Sequence, residues 1–464
     1  MRSFAGVGFV CALACLLACV LAAIPAARAG DGPPDGAAAD QAASDPQGAP
    51  NEPAARFAIH GQATWVEQET NDFHAPYAGA NSLTPSQGRE MTGATLYLGA
   101  RLWKGAEIWL NPEVDEGFGL DDTTGLAGFP SGLSYKVGSN PPYFRLQRAF
   151  VRDTFNLGGE RTAAESAQNQ FSGELASDRI VLTFGKFSVT DVFDTNRYAH
   201  DPTQDFLNWS VIDTGSFDYA ADAWGYTVGA ALEWYVGDWT SRAGVFDLSD
   251  VPNSRTLESG FDEYQIVVEF EHRHELLGHP GKLALTGFES HARMALLDDA
   301  VAYALETGGP VDPTPVRGFR KRDGVSLNFE QEISRDLGVF ARAGGAGGNV
   351  EAYEFTDIDR TAALGLSLTG MRWHRPQDTF GLATVINGIS AERRRYLATG
   401  GLGILVGDGQ LPNAGNEHIL ESYYKWVPLT WLQVTLNYQW VRNPAYNSDR
   451  GPVSIFALRV HAQF

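Results

Sequence analysis

The sequence predicts an all-β protein, a transmembrane antiparallel β-barrel of sixteen strands whose third long loop folds into the lumen. Three observations carry this. Segments of roughly ten residues alternate apolar and polar side chains with a period of two, the mark of strands. Their connections alternate long and short, as in a spanning barrel with loops at one end and turns at the other. After residue 29 no run approaches the ~18 consecutive apolar residues of a membrane helix, so any crossing is made by strands.

The N-terminus points to the compartment. Arg2 precedes an uncharged apolar run from Phe4 to Ile24, and Ala27-Arg28-Ala29 has the small residues of a cleavage site. Residues 1–29 read as a secretory signal peptide. Cys11, Cys15 and Cys19, the chain's three cysteines, all lie inside it, so the exported part has neither disulfides nor thiol chemistry. A closed sheet would supply stability instead. Residues 30–56, rich in Ala, Pro, Asp and Gly and without periodicity, read as a disordered periplasmic leader.

The formal net charge is −21, and the signal segment holds Arg2 and Arg28 but no acid, which leaves the exported chain more acidic still. Binding to nucleic acid by counter-ion release is excluded. The chain's 11 Trp, 16 Tyr and 26 Phe can cover a large apolar surface. Its 51 glycines exceed the usual share of about 7% and suit tight turns and crowded strands.

From Phe57 onward the candidate strands are 57–69, 91–103, 104–114, 143–155, 178–187, 224–236, 238–248 and 262–273. They continue with 281–294, 323–334, 336–348, 358–371, 378–389, 417–427, 430–442 and 452–464. Ile266, Val268 and Phe270 oppose Gln265, Glu269 and Glu271, while Leu364, Leu366 and Leu368 oppose Ala363, Gly365 and Ser367. Ile180, Leu182 and Phe184 oppose Val181, Thr183 and Gly185. In the terminal pair, Leu436, Tyr438, Phe456, Leu458 and Phe464 form an apolar face opposite Gln433, Asn437, Gln439, Arg459 and His461. In 143–155 Arg148 and Arg152 share a face with Leu146 and Phe150, and alternation assigns no inward side there.

The long connections are 70–90, 115–142, 188–223, 249–261, 295–322, 349–357, 390–416 and 443–451. With sixteen strands both termini then lie on the short-turn, periplasmic side. One connection breaks the rule: 156–177 is long where a turn belongs, and its Thr162–Gln168 run reads as a small helix. Aromatic residues near strand ends, among them Trp103, Trp109, Trp224, Trp234, Trp239, Tyr423, Trp426 and Trp431, fit two interfacial girdles.

The loop from Ser188 to Ala223 carries the candidate chemistry. Asp191, Asp194, Asn196, Arg197, His200, Asp201, Asp205 and Asn208 can bond a polar solute, and Tyr198, Phe206 and Trp209 are interleaved. Sugars suit this mixture, because their hydroxyls take carboxylate and amide partners while their C–H faces stack on rings. An ordinary solvated loop is the plainer reading. Inward by alternation, and so on the lumen-facing wall, are Glu269, Glu271, Gln433, Asn437, Gln439 and Arg459.

Enzymatic readings are weak. Glu271-His272-Arg273-His274-Glu275 puts two histidines on one strand face, but no further ligands are specified, so interfacial residues explain it better than a metal site. Gly400-Gly401-Leu402-Gly403 precedes no helix, and no Gly-x-Ser-x-Gly elbow occurs. We expect no catalytic residue, metal or cofactor.

Four stretches resemble the carbohydrate-selective outer-membrane porins, the OprB-like family: GKFSVTDVFDTNRYAHDPTQDFLNW (185–209), FDYAADAWGYTVGAALEW (217–234), EHRHELLGHPGKLALTGF (271–288) and NPAYNSDRGPVSIFALRVHAQF (443–464). The resemblance makes 57–464 an outer-membrane β-barrel porin domain of a Gram-negative cell. It implies passive passage of sugars, monosaccharides such as glucose among them, with selectivity at the Asp191–Trp209 stretch. A general or cation-preferring porin is the alternative, motivated by the negative charge. The implied partners are carbohydrate solutes, outer-membrane lipid and lipopolysaccharide, and the barrel-assembly machinery through the terminal Phe464. Porins of this strand number are often trimers, so a homotrimer is the oligomer to test.

Overall fold

The structure, a computed structural model, describes residues 55–135 and 137–464. The signal segment and the leader up to residue 54 lie outside the described residues. At the leader's end, Arg101 donates from Nε to the Ala55 carbonyl (3.0 Å) and from its backbone N–H to that of Arg56 (2.9 Å).

Sixteen strands close into one antiparallel barrel. They are β1 (Phe57–Thr70), β2 (Gly88–Trp103), β3 (Ala106–Gly117), β4 (Ser139–Ala164), β5 (Gly173–Phe187), β6 (Thr227–Val236), β7 (Trp239–Asp247) and β8 (Tyr264–Leu276). There follow β9 (His279–Met294), β10 (Gly318–Ser334), β11 (Leu337–Ala346), β12 (Arg360–Gly370), β13 (Arg375–Gly388), β14 (Glu417–Leu429), β15 (Leu432–Arg442) and β16 (Val453–Gln463). Each strand pairs with its sequence neighbours, and β16 returns to β1 in the register Gln62–Gln463 through Thr70–Ile455. Within the barrel each strand is thus paired on both sides, among the described residues.

The alternation survives into three dimensions. On β8 Ile266, Val268 and Phe270 are exposed on the outer face, whereas Gln265, Glu269 and Glu271 are buried. On β15 and β16 Leu436 and Phe456 face out, and Gln433, Asn437, Gln439, Arg459 and His461 are buried. Outward leucines and phenylalanines form the apolar outer face that a membrane barrel presents to lipid, where a charge near the bilayer middle costs ~2–4 kcal/mol.

Three expectations are corrected. The 162–168 run forms no helix: β4 continues to Ala164 and β5 begins at Gly173, so the connection is a long hairpin with its turn at 165–172. Short turns therefore follow every even-numbered strand. The ambiguity in β4 comes from a β-bulge: Asn111 pairs with Arg148 and Pro112 with Leu146, leaving Gln147 as an extra residue. Phe144 and Leu146 point out, and after the bulge Arg148 and Phe150 point in. Third, Trp109, Trp224 and Tyr423 are buried in the barrel and belong to no girdle, unlike the exposed Trp103, Trp234, Trp239, Trp426 and Trp431.

Long loops connect at 71–87, 118–138, 188–226, 248–263, 295–317, 347–359, 389–416 and 443–452. Short helices α1 (Trp209–Ile212), α2 (Leu297–Thr307) and α3 (Ala391–Ala398) lie within them. The 188–226 loop, here the inner loop, has an apolar core of its own. Phe193 meets Phe246 edge-on at 5.9 Å, and Phe206 meets Phe340 at 5.6 Å and Tyr423 at 4.9 Å. These wall residues sit at inward positions of β7, β11 and β14. An apolar inner wall has to be covered, and the loop covers it.

Candidate functional site

The inner loop is held to the wall by buried polar groups. Asp194 is fully buried and pairs with the equally buried Arg342 at 3.4 Å. Its carboxylate also accepts from the Thr214 N–H (2.6 Å), the Thr214 hydroxyl (3.0 Å) and Asn328 Nδ2 (2.8 Å). Arg342 further donates to the carbonyls of Val211 and Ala199, both at 2.8 Å. Glu269 accepts the Asp194 N–H at 2.9 Å while pairing with Arg242 at 2.6 Å, and Glu271 shares that guanidinium at 2.8 Å. Lone pairs and donors that the β-ladder cannot use are thereby satisfied.

The same holds at the loop's far end. Asn208 caps α1 by accepting the Ser210 N–H, and donates to the Gly128 carbonyl (2.9 Å) and Gln439 Oε1 (3.0 Å). Glu421, itself bonded by Asn437 Nδ2 at 2.5 Å, accepts the N–H groups of Leu207 and Asn208. Arg459 donates to the carbonyls of Pro202 (2.5 Å) and Asp205 (2.9 Å). Asn196 donates to Asn328 at 2.7 Å, and Tyr198 packs so closely on Gly338 that a β-carbon there would lie 2.1 Å from its ring. The Arg197 side chain is mostly exposed, 3.6 Å from Glu332. Gln433 is buried on the wall.

Opposite this packed half lies a cavity of about 410 Å³, between the loop and β1–β4. From the sequence candidates it takes Asp191, His200, Asp201 and Trp209. Asp194, Asn196, Arg197, Tyr198, Asp205, Asn208 and the six wall candidates are not among its lining residues. The cavity adds residues that sequence reasoning missed: Tyr97, Glu113 and Asp115 on β2 and β3, Arg148 on β4, and Asp213 and Tyr226 on the inner loop. Inward alternation along β3 (Glu113, Asp115) was a usable signal; the β4 bulge hid Arg148.

Arg148 is the one Arg or Lys in this lining, among the described residues. Its guanidinium grips Asp191 bidentately, at 2.7 and 2.6 Å, and lies over the Tyr226 ring at 4.9 Å. Burial works against the Asp191 carboxylate, but Arg148 more than offsets it and holds it below the usual carboxylate range. Glu113 accepts from Thr95 (2.6 Å) and Gln147 (2.9 Å). Trp209 stacks on Phe129 with centroids 5.2 Å apart. An ionic fork, several carboxylates and flat rings therefore converge on one passage.

Two loop groups in the cavity lining respond to pH. Burial, and then the neighbouring Asp194 carboxylate, pushes Asp213 up to about 7. Burial, and then Arg342, pushes His200 down, so its Nδ1, 3.7 Å from Asp213, is neutral at neutral pH. Raising the pH from about 5.5 to 8 should add the Asp213 charge to the passage and increase cation over anion permeability, read as a reversal-potential shift. Asp213→Asn should abolish the step. Because the folded value is raised, the docking stability linked to Asp213 is full below pH ~4 and is lost as pH rises through about 7.

Among the described residues no group of three or more His, Cys, Asp or Glu could hold a metal ion. His272 packs against Trp239, tilted with centroids 4.4 Å apart, and His274 bonds Gln331 at 3.1 Å.

Comparison with known proteins agrees with the barrel fold. The family described as carbohydrate-selective porin, OprB family, matches residues 81–464. Porin AaxA of Chlamydia abortus is 26% identical over 218 residues, 47% of this chain and 42% of that protein. Porin AaxA of Chlamydia trachomatis serovar D is 25% identical over 253 residues, 53% and 48% of the two chains. The chain thus spans about half the length of the curated relatives it matches. The high-pH structure of Pseudomonas putida OprB has a TM-score of 0.66 at 16% identity, covering 88% of this chain and 94% of that one. The outer-membrane channel DcaP of Acinetobacter baumannii shares the fold at a TM-score of 0.50 and 10% identity, covering 88% and 97%.

Proposed function

The chain belongs to the OprB family of carbohydrate-selective porins, and from that premise we propose that it is an outer-membrane channel for passive, selective diffusion of carbohydrates, glucose-like monosaccharides included, into the periplasm. The observation that carries the reading is the lining of the cavity. The Arg148–Asp191 fork and Glu113 offer hydrogen bonds to hydroxyls, and the half-buried Tyr226 ring offers apolar surface to the C–H side of a sugar. The porin family and the closed-barrel fold support a channel rather than an enzyme. Binding has to be weak enough to release the solute. Liposome swelling with mono- and disaccharides tests it: equal rates for sugars and size-matched amino acids would sink the carbohydrate reading.

A second reading has its own support. Five acidic side chains line the passage (Glu113, Asp115, Asp191, Asp201 and Asp213) against Arg148 as the one Arg or Lys among the described residues. A cation-preferring pore would show a strong reversal potential and no sugar block.

Both termini are proposed to face the periplasm, since the long loops of outer-membrane barrels lie outside. The apolar outer band would meet lipid, and the loop ends lipopolysaccharide. Should three copies associate, part of that band would be shared, which native mass spectrometry would count. Phe464 exchanges backbone hydrogen bonds with Gly61 (3.0 and 3.1 Å), and its ring lies where a β-carbon on Gly61 would be. As a terminal signal for the barrel-assembly machinery, Phe464→Ser should lower outer-membrane yield severalfold. Protein refolded in detergent should still show the heat-shifted gel mobility of a closed barrel.

A further inference from the structure

The β4–β5 hairpin does not stop where its neighbours do. Pairing of β4 with β3 ends at the β2–β3 turn, where the Thr154 N–H donates to the Gly105 carbonyl at 2.9 Å. On the other side, the Gly237 N–H of the β6–β7 turn donates to Asp178 at 2.8 Å. Residues between these points and the 165–172 turn extend past both flanking strands. A free extension of this kind would project into solvent. Instead it bends at two register breaks, around Gly158 and Arg161, where Gly158 and Gly159 take positive φ (155° and 80°) that side chains disfavour.

The bend returns the turn to the barrel mouth, across β1–β3. Phe171 is buried, its ring 5.1 Å from the inward Trp109 and 4.5 Å from the Arg101 guanidinium. Arg101 donates to the Ser172 carbonyl (2.7 Å) and Arg152 to that of Asn169 (2.8 Å). Gln168 donates to Gln62 at 2.9 Å, and His60 and Ser166 are 3.0 Å apart. Gln62, Gln168 and Asn169 all line the cavity described above.

We propose that this hairpin is a second selectivity element, a strap across the turn-end mouth that narrows the passage and meets the solute with neutral amides after the charged middle. Its chemistry favours uncharged, hydroxyl-rich solutes at that point: amides both donate and accept, and carry no charge to hold an ion. The proposal rests on the chain forming a water-filled pore and not on which sugar passes.

The test is single-channel conductance of the full exported chain. Phe171→Ala removes the ring that seats the strap and should raise conductance about twofold, with added open-channel noise. Since the exported chain has no cysteine, His60→Cys with Ser166→Cys can tie the strap down. In the triple variant, oxidation should return conductance to the parent value and reduction should raise it again. A folded Phe171→Ala barrel with parent conductance, or a triple variant with parent conductance in both redox states, overturns the strap. If that variant does not fold, replacing 160–176 with a short turn decides instead, and unchanged conductance there overturns it equally. Parent protein without any conductance overturns the pore reading, and the strap with it.

Discussion

Asp194→Ala should release the inner loop from the barrel wall. The mutation leaves the Arg342 guanidinium buried without its carboxylate, strips the Thr214 N–H and hydroxyl of their acceptor, and leaves Asn328 Nδ2 only the carbonyls of residue 194 and Thr195. Removing one partner of a buried pair costs ~3–5 kcal/mol, most of it from the stranded charge. The loss should fall first on loop docking, because the β-ladder itself makes no use of Asp194. Urea unfolding of the lipid-folded barrel, followed by Trp fluorescence, should then show an early transition from the buried Trp209, ahead of barrel unfolding. Conductance should rise at the same time. Asp194→Asn combined with Arg342→Met should recover much of the loss, since no charge is left buried. An Asp194→Ala protein with a single parent-like transition would show that the apolar contacts of Phe193 and Phe206 hold the loop alone.

Arg148→Ala should have the larger effect on selectivity. It takes the one Arg or Lys among the described residues out of the lining and frees Asp191 from its ion pair, leaving five acidic side chains facing the passage. Cation permeability over anion permeability should increase severalfold. Sugar block should weaken about tenfold, the loss of roughly one charge-assisted hydrogen bond (~1.5 kcal/mol). Arg148→Lys separates the two contributions. The charge is kept, so ion selectivity should stay near the parent value, but a lysine cannot reproduce the planar fork, so sugar block should still weaken. Equal sugar block in all three proteins would move recognition away from the Arg148–Asp191 pair.

Why Arg148 was illegible in the sequence is instructive. Inward and outward are read from a period of two, and one extra residue inverts the phase. Gln147 is that residue, and nothing in the run Phe144–Phe150 marks it as a bulge without the partner strand. The inner loop was legible as a unit, by length and by its density of polar and aromatic groups. Its individual side chains were not. Asp194, Asn196 and Asn208 looked like solute ligands and are instead the polar groups that pin the loop. Asp191 and Asp201, of the same residue type as Asp194, line the cavity.

The 156–177 hairpin shows the same limit from the other side. Thr162-Ala-Ala-Glu-Ser-Ala-Gln has good helix formers, yet its two flanks pair as strands, because cross-strand bonding to Gly173–Ala176 outweighs weak local propensity. No local pattern says that a strand pair will fold back across a pore.

By itself the sequence determined the barrel. A strict two-residue period, an even number of such segments and alternating connection lengths leave few other ways to satisfy the backbone in a membrane. Only the tertiary structure decided where the passage runs. Inward positions on β7, β11 and β14 are apolar enough to bind the inner loop, and that closes one half of the lumen. The open half is whatever that packing leaves, and a balance struck between segments more than a hundred residues apart is not written in any one of them.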